Sequence, residues 1–317
     1  MKISIITASL NRKEFIGTAI ESVLAQNYPN FEHWIIDGRS SDGTLEFLKK
    51  YPHLRVLSEP DRGVYDAWNK GIERVSGDAV GFLNTDDQYA PGTFRILNET
   101  LNRSSALVFS GGSEIYQRIS PGVDVVMHRY IDPLRYRLCV GNVTLGLPNI
   151  NARFFRPSVF AIIGGFNTVY KLSADREFLL RAAMVGIPDC ARKQLVYRYR
   201  WHPQSLTMNG GNESLLAALM EAVLVAEIYA DLPTTSPADQ LTLLSWHREL
   251  LATAFIARAM RRPTQALGLA VHEFNNDPRW LIDVVRCGTL AVGRRMRTTF
   301  RKLLARHKGE TIGRPLC

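Results

Sequence analysis

The first 110 residues of this 317-residue chain alternate short β-rich apolar runs with stretches of helical periodicity. This alternation predicts parallel strands joined by crossover helices, and therefore an α/β fold. Strands are predicted at residues 2–8, 31–36, 54–57 and 79–83. Between them, a helix is expected after Asn11, and further helices at residues 44–51 and 64–75. No other feature of the chain limits its possible architectures as strongly.

The second half of the chain is less regular. Residues 106–109 and 123–128 have the character of strands, and residues 173–185 form a predicted helix with an acidic first turn. After residue 212, long helical segments are predicted at 213–230 and 238–260, followed by a basic stretch ending near Lys308. We therefore expect an α/β domain over residues 1–211 and a helical, basic C-terminal extension over residues 212–317.

The net charge of +9 is concentrated near the C-terminus. Eight lysines and arginines lie between Arg286 and Lys308 without one acidic residue, and they are interleaved with apolar residues. This pattern suits either a solvated helix face or an amphipathic surface that contacts anionic lipid, and the interleaving favours lipid. Nucleic-acid binding explains the charge less well, since no recognition motif accompanies it.

The chain offers no sequence signal for export or membrane insertion. The apolar run at residues 3–10 is ended by four polar residues and is better explained as a strand than as a signal peptide. No stretch reaches the roughly 18 apolar residues of a membrane span. The four cysteines form no CxxC pair, which suits a reducing compartment. The expected location is cytoplasmic, with possible peripheral contact at the inner face of the cytoplasmic membrane.

Polar clusters follow three of the predicted strands, at residues 7–11, 37–44 and 84–87. The carboxyl ends of parallel strands meet at one edge of a sheet, where ligands bind. Asn11, Asp37 and Asp42 could each serve only as turn formers or helix caps. The adjacent acids Asp86 and Asp87 repel each other unless a cation compensates them. They predict a Mg²⁺ or Mn²⁺ ion held by one or two carboxylates and completed by water and phosphate oxygens.

Five segments, in order along the chain, resemble the family 2 glycosyltransferases of the GT-A fold, particularly bacterial enzymes that build colanic acid and other surface polysaccharides. They are SIITASLNR (4–12), IIDGRSSDGT (35–44), SEPDRGVYDAWNKGI (58–72), SGDAVGFLNTDD (76–87) and YKLSADREFLLR (170–181). The resemblance spans about residues 1–210. It implies a GT-A sheet flanked by helices, a nucleotide-sugar donor with UDP the expected nucleotide, and a surface-polysaccharide or polyprenyl-linked glycan acceptor.

The resemblance also assigns roles to individual residues. Thr7 and Asn11 would line the nucleotide pocket, Asp37 would contact the base or ribose, Asp61 and Asp86 would face the nucleotide, Asp87 would bind the metal ion, and Asp175 would be the catalytic base. The implied reaction is inverting. A metal ion stabilises the departing diphosphate while one carboxylate takes the proton of the attacking hydroxyl. Asp175 could instead be a helix cap, a role that the resemblance makes less attractive.

The sequence also departs from the family pattern. Arg39 stands where relatives commonly have Gly, Asn151 where a His is frequent, and Asn167 where an acid is usual. These differences bear on donor or acceptor specificity, because each assigned carboxylate is present. Tyr65 and Trp68 share one face of their predicted helix, and core packing is their expected role. An alternative function is a catalytically inactive nucleotide-sugar sensor or assembly subunit, against which the intact carboxylates argue.

Overall fold

A computed structural model describes residues 1–146, 148–202, 213–259, 282 and 284–286. The chain divides into two compact units, residues 1–201 and 202–317. The predicted domain boundary at residues 211–212 lies outside the described residues, as does nearly all of the predicted basic stretch.

The first unit is built on one nine-stranded sheet. Its strands are β1 (Ile3–Ser9), β2 (Phe31–Asp37), β3 (Leu54–Ser58), β4 (Ala79–Phe82), β5 (Gln88–Tyr89), β6 (Val108–Ser120), β7 (Val123–Tyr130), β8 (Arg153–Phe155) and β9 (Asp189–Trp201). The helices are α1 (Ile16–Leu24), α2 (Thr44–Leu48), α3 (Val64–Ile72), α4 (Thr93–Asn102), α5 (Val140–Leu145), α6 (Pro157–Ile163) and α7 (Ala174–Met184).

The strands are ordered β3-β2-β1-β4-β8-β6-β9-β5, and β7 pairs with β6. The first four strands are mutually parallel. Beyond them the sheet is mixed: β8 runs antiparallel to β4 and β6, whereas β9 runs parallel to β6. The predicted α/β class is confirmed, and its parallel part is the half in which strands and helices alternate most regularly in sequence.

Strand β1 is covered on both faces, and all of its residues except Ala8 are therefore buried. Ile3 and Ile5 are fully buried in one cluster with Ala19 and Val23 of α1. On the opposite face α3 approaches so closely that a Cβ built at Gly71 would lie 2.5 Å from Ile6 Cγ2. Glycine therefore permits the contact that seats α3 against the sheet.

A buried carboxylate ties the amino-terminal ends of β1 and β2 together. Glu32 is 4% exposed. It accepts hydrogen bonds from Ser4 Oγ at 2.6 Å, Ser76 N–H at 2.7 Å and Lys2 Nζ at 3.0 Å. Arg55 Nη1 lies 3.0 Å from the same carboxylate. These partners satisfy a charge that would otherwise be costly to bury.

The strand register brings the polar clusters to one edge of the sheet. Ser9 of β1 is paired with Asp37 of β2, and Asp37 with Ser58 of β3. On the other side of β1, Ile6 is paired with Phe82, the last residue of β4. The loops after these four strands therefore emerge side by side, as their parallel arrangement requires.

The second unit contains helices α8 (Glu213–Ala230) and α9 (Pro237–Ala259), which pack against each other. Both were expected from sequence at nearly these bounds. The buried residues Leu243, Trp246, Leu250 and Ala254 recur at helical spacing along α9. Within the described part of the chain, neither these helices nor any other is long and apolar enough to cross a bilayer.

Candidate functional site

The acidic pair follows β4 directly, but its two members lie in different surroundings. Asp87 is 2% exposed, whereas Asp86 is partly exposed. Asp87 Oδ1 accepts the backbone N–H of Arg200 at 2.8 Å. Its Oδ2 accepts Tyr197 Oη at 2.9 Å and Asn84 Nδ2 at 3.0 Å. Both oxygens of Asp87 are thus engaged by protein donors, and Asp86 is the more accessible carboxylate.

The chemistry of this pair fits a hard divalent cation. Burial, and next the neighbouring charge of Asp86, raise the pKa of Asp87 well above its ordinary value. A cation beside the pair would stabilise the ionised form of both groups. Among the described residues, no group of three or more His, Cys, Asp or Glu side chains could hold a metal ion. An ion here would therefore take most of its ligands from phosphate oxygens and water, as Mg²⁺ commonly does.

Asp175 lies in the first turn of α7, with its carboxylate held from two sides. Tyr65 Oη of α3 donates to Asp175 Oδ1 at 3.0 Å, and the backbone N–H of Arg176 donates to the same oxygen at 2.8 Å. Burial raises the pKa of Asp175. That rise is opposed by the hydrogen bond from the Arg176 N–H, the positive charge of the Arg176 side chain and the hydrogen bond from the Tyr65 hydroxyl. A carboxylate with a raised pKa is better suited to accept a proton near neutral pH.

The charges of the acidic pair and of Asp175 all act on Tyr199 of β9, which is partly exposed. Burial raises the pKa of this phenol, and so do the charges of Asp87, Asp175 and Asp86. The Tyr199 hydroxyl thus lies within electrostatic reach of all three carboxylates. The fold therefore brings the acidic pair and Asp175, almost ninety positions apart in sequence, to a single site.

Asn151 is part of the same site. Tyr199 Oη donates to Asn151 Oδ1 at 2.8 Å, and Asn151 Nδ2 lies 3.3 Å from the carbonyl oxygen of Phe82. The same amide is 3.4 Å from Asn84 Oδ1. Asn151, a position where the sequence departs from the family pattern, connects β9 to the loop that carries the acidic pair.

At the neighbouring strand ends, Asp37 is fully buried and shapes its own loop. It accepts the backbone N–H of Ser40 and the hydroxyl of Ser58, each at 2.9 Å. Asp61 lies against this loop, since a Cβ built at Gly38 would be 2.6 Å from Asp61 Oδ2. Asp61 Oδ1 accepts the N–H of Gly63 at 2.9 Å. Asp37 and Asp61 are therefore brought to the same edge, where their observed contacts organise the loops.

Asn11 joins the loop after β1 to the loop after β2. Its side-chain Oδ1 accepts the N–H of Ser41 at 2.8 Å, and its own N–H donates to Ser40 Oγ at 2.8 Å. Asn11 has a φ of 53°, a conformation that asparagine tolerates better than most residues. Arg39 also has a positive φ, 63°, a conformation that glycine would adopt without strain.

Thr7 and Ser9 differ in a way that the sequence did not reveal. Thr7 is fully buried, with Oγ1 2.9 Å from His33 Nε2, so its side chain belongs to the core. Ser9, the last residue of β1, is 3% exposed, and its Oγ has no hydrogen-bond partner among the described residues. A buried hydroxyl without a partner at a ligand-binding edge suits contact with a bound polar group. The sequence offered one indication of this role, since Ser9 ends the strand that is paired with the strand ending at Asp37.

Three tyrosines near the carboxylates were also missed or only partly anticipated. Residues 197–201 belong to β9, from which Tyr197 and Tyr199 reach the site, while the Arg200 guanidinium lies 5.6 Å from the centre of the Phe15 ring. Tyr65 packs in the core as predicted and also contacts Asp175.

Comparison with known proteins places residues 4–177 within the model of Glycosyl transferase family 2. An uncharacterized glycosyltransferase of Mycobacterium tuberculosis (strain H37Rv) is 33% identical over 196 residues, covering 60% of this chain and 72% of that protein. A putative teichuronic acid biosynthesis glycosyltransferase, TuaG, of Bacillus subtilis is 33% identical over 150 residues, covering 45% of this chain and 59% of TuaG.

Solved structures show the same fold at low sequence identity. S. aureus TarS 1–349 in complex with UDP-GlcNAc superposes with a TM-score of 0.59 at 18% identity, covering 89% of this chain and 79% of that one. The mannosyltransferase PcManGT from Pyrobaculum calidifontis, in complex with GDP-Man and Mn²⁺, gives a TM-score of 0.59 at 16% identity, covering 92% and 85%. A second crystal structure of S. aureus TarS contains a longer chain, and the superposition covers 84% of this chain but only 45% of that one. These likenesses establish a GT-A fold.

Proposed function

Because this chain belongs to glycosyl transferase family 2, we propose that it is a metal-dependent, inverting enzyme that transfers a sugar from UDP to a hydroxyl of a surface or lipid-linked glycan. The observation that carries this proposal is the set of three carboxylates that lie within electrostatic reach of Tyr199. An acidic pair suited to a cation and a partly buried carboxylate with a raised pKa are the two components that such a displacement needs.

For the metal ion we propose Asp86 as the direct ligand, with Asp87 in support. This reverses the division suggested by sequence, in which Asp87 bound the metal and Asp86 the nucleotide. The reason is that Asp87 already accepts three hydrogen bonds, while Asp86 is partly exposed beside it. When bound, the ion would neutralise charge on the departing diphosphate. Asp87 would hold the loop after β4 in place.

The nucleotide is proposed to lie along the ends of β1, β2 and β3. Ser9 takes the place that sequence gave to Thr7, because within the described part of the chain the Ser9 hydroxyl has no hydrogen-bond partner and that of Thr7 has one. Asp61 is partly exposed and is the proposed contact for the base or ribose. Asn11 and Asp37 would act mainly by fixing the loops, since their side chains already accept hydrogen bonds from the loop after β2 and, for Asp37, from the end of β3.

Asp175 is proposed as the catalytic base. Its Oδ1 is held by Tyr65 and Arg176, so Oδ2 would receive the proton of the acceptor hydroxyl. As that proton leaves, the acceptor oxygen bonds to the anomeric carbon. The bond from this carbon to the diphosphate oxygen breaks, and the electron pair leaves with the nucleoside diphosphate. A single displacement from the opposite side inverts the anomeric centre.

For the acceptor, we propose a hydroxyl of a surface polysaccharide or of a polyprenyl-linked glycan. TuaG, which shares a third of its aligned residues with this chain, is named for teichuronic acid biosynthesis. A cytoplasmic enzyme with peripheral contact to the membrane would meet such an acceptor. The basic segment proposed for that contact lies almost entirely outside the described residues.

The proposal is tested with a panel of UDP-, GDP- and TDP-sugars, with and without Mn²⁺. We expect UDP-sugars with Mn²⁺ to raise the unfolding temperature most, because a ligand that binds only the folded state stabilises it. We also expect slow release of UDP, with water replacing the missing acceptor. Binding without UDP release, even with glycan acceptors supplied, would instead indicate the catalytically inactive sensor. Stabilisation only by GDP-sugars would contradict the proposed donor.

A further inference from the structure

Helix α3 connects the proposed nucleotide edge to the proposed base. It begins at Val64, directly after the loop that carries Asp61. One residue into the helix, Tyr65 is 8% exposed, and its ring stacks on Phe166 with centroids 5.7 Å apart. Trp68 also packs against the Tyr65 ring, with centroids 5.5 Å apart in a T-shaped arrangement. These contacts leave the Tyr65 ring little freedom to turn.

The orientation of this ring determines where its hydroxyl points. Tyr65 Oη lies 3.0 Å from Asp175 Oδ1 and 3.3 Å from the carbonyl oxygen of Leu172. A hydroxyl has one proton to donate, and the shorter contact is to the acceptor that carries charge when ionised. Both acceptors belong to the segment that begins α7, so the hydroxyl contacts the base and the chain that leads into it.

A second contact fixes α3 to the same region. Asn69 Nδ2 donates to the carbonyl oxygen of Phe166, and Asn69 Oδ1 accepts the Phe166 N–H, each at 2.8 Å. A Cβ built at Gly165 would lie 2.5 Å from Asn69 Oδ1, so glycine makes room for this pair. From α7, Arg181 Nη2 donates to the carbonyl oxygen of Gly165 at 2.7 Å. The segment at residues 163–166 is therefore bound to both α3 and α7.

We propose that Tyr65 is a positioning residue for Asp175: its hydroxyl holds Oδ1 so that Oδ2 faces the acceptor hydroxyl. Asn69 supports this arrangement by keeping α3 and α7 at a constant separation. The inference rests on the proposed function, because it assumes that Asp175 is the base. It extends that function to a residue whose sequence context suggested only core packing.

The groups around Asp175 predict that loss of the Tyr65 hydrogen bond changes the pH dependence of the reaction. Among the described residues, the titratable groups that act on Asp175 or respond to its charge are Tyr65 from α3, Arg176 from its own helix and Tyr199 from β9. Burial raises the pKa of Asp175, and the Tyr65 hydrogen bond counteracts part of that rise. Without the hydroxyl, the pKa of Asp175 rises further, and the base is ionised only at higher pH.

The test is Tyr65→Phe, which removes one oxygen and keeps the ring contacts. UDP release from a UDP-sugar with Mn²⁺ is measured as a function of pH. We expect kcat to fall roughly 10-fold and the acid limb of its pH profile to move up by about one unit, as for loss of a hydrogen bond to a charged group. The KM for the donor should stay within about 2-fold, since Tyr65 is not proposed to touch the donor.

Tyr28→Phe is the matched control. The Tyr28 hydroxyl also donates one hydrogen bond, at 2.8 Å, but its acceptor is the carbonyl oxygen of Met1. We expect its kcat and pH profile to equal those of the wild type. Thermal unfolding of both variants checks that the fold is intact. An unchanged pH profile in folded Tyr65→Phe, or an equal shift in Tyr28→Phe, would overturn the inference.

A double-mutant cycle separates this inference from the proposed function. If Tyr65 acts through Asp175, Tyr65→Phe should have little further effect on the residual rate of Asp175→Asn. A further 10-fold loss in that background would overturn the positioning role. If Asp175→Asn alone keeps the full rate, the proposed base is wrong. An inactive Asp175→Asn beside an unaffected Tyr65→Phe refutes only the inference.

Discussion

Alanine at the two adjacent acids should have opposite consequences. We expect Asp87→Ala to destabilise the first unit and Asp86→Ala to leave its stability nearly unchanged while removing metal-dependent nucleotide binding. The difference arises from the surroundings of the two side chains, because Asp87 is 2% exposed and Asp86 is partly exposed. Each variant is therefore the natural control for the other.

The magnitude follows from the partners of Asp87. Its removal leaves three donors without their acceptor: the Arg200 N–H, the Tyr197 hydroxyl and the Asn84 amide. At about 1 kcal/mol for each, the loss is about 3 kcal/mol. Part of it is offset, because a carboxylate buried beside Asp86 is itself unfavourable without a cation. We expect a net loss of about 2 kcal/mol, or roughly 4–8 °C in Tm for a unit of this size.

The assay combines thermal unfolding in EDTA with calorimetric titration of UDP in Mn²⁺. Asp86→Ala should unfold within about 2 °C of the wild type, since a partly exposed side chain contributes little stability. Its UDP affinity should no longer increase when Mn²⁺ is added. A wild-type Tm for Asp87→Ala, together with Mn²⁺-dependent UDP binding by Asp86→Ala, would refute the roles that we propose for both residues.

Three further predictions concern residues around the sheet. Burial raises the pKa of Glu32, but its hydrogen bonds outweigh this effect and bring the pKa to about 2. The free energy of unfolding should therefore fall by up to about 3 kcal/mol as the pH drops from 4.5 towards 2, and acid titrations followed by circular dichroism should show a smaller loss in Glu32→Gln. Burial and the nearby His53 lower the pKa of His33 to about 3. The free energy of unfolding should therefore decrease by up to about 1.4 kcal/mol per pH unit below pH 6.5, and between pH 6.5 and 5 this dependence should be weaker in His33→Gln and unchanged in Glu32→Gln. Ser9→Ala should weaken UDP binding about 5-fold in calorimetry with no loss of Tm, whereas equal affinity would exclude contact between Ser9 and the nucleotide.

The regular half of the fold could be predicted from sequence because its local and long-range signals agree. Strands β1 to β4 are apolar runs separated by helical periodicity, and their bounds differ from the prediction by one residue at most. Strand β8 is only three residues long, and β5 only two, so neither offers a period to detect. Their positions depend on pairing with distant strands, which local sequence does not encode.

The site was predictable to the level of residue clusters but not of individual side chains. Asp86, Asp87 and Asp175 stand out by residue type and motif, and the fold brings all three within electrostatic reach of Tyr199. Which of two neighbouring carboxylates faces solvent depends on the hydrogen bonds that β9 supplies from more than a hundred positions away. The contact of Tyr65 with Asp175 could not be predicted for the same reason. Helical spacing indicates that Tyr65 and Trp68 share a face of their helix, but not which distant residues pack against that face.

The most direct measurement of the central claim compares UDP release by the wild type and by Asp175→Asn, with Mn²⁺ and the best UDP-sugar of the panel. Calorimetry on the same samples reports UDP binding. We predict that Asp175→Asn lowers the rate at least 100-fold and leaves the Kd for UDP within about 2-fold, because the base acts on the acceptor and not on the nucleotide. A rate within about 2-fold of the wild type would contradict the assignment of Asp175 as the base and with it the proposed mechanism.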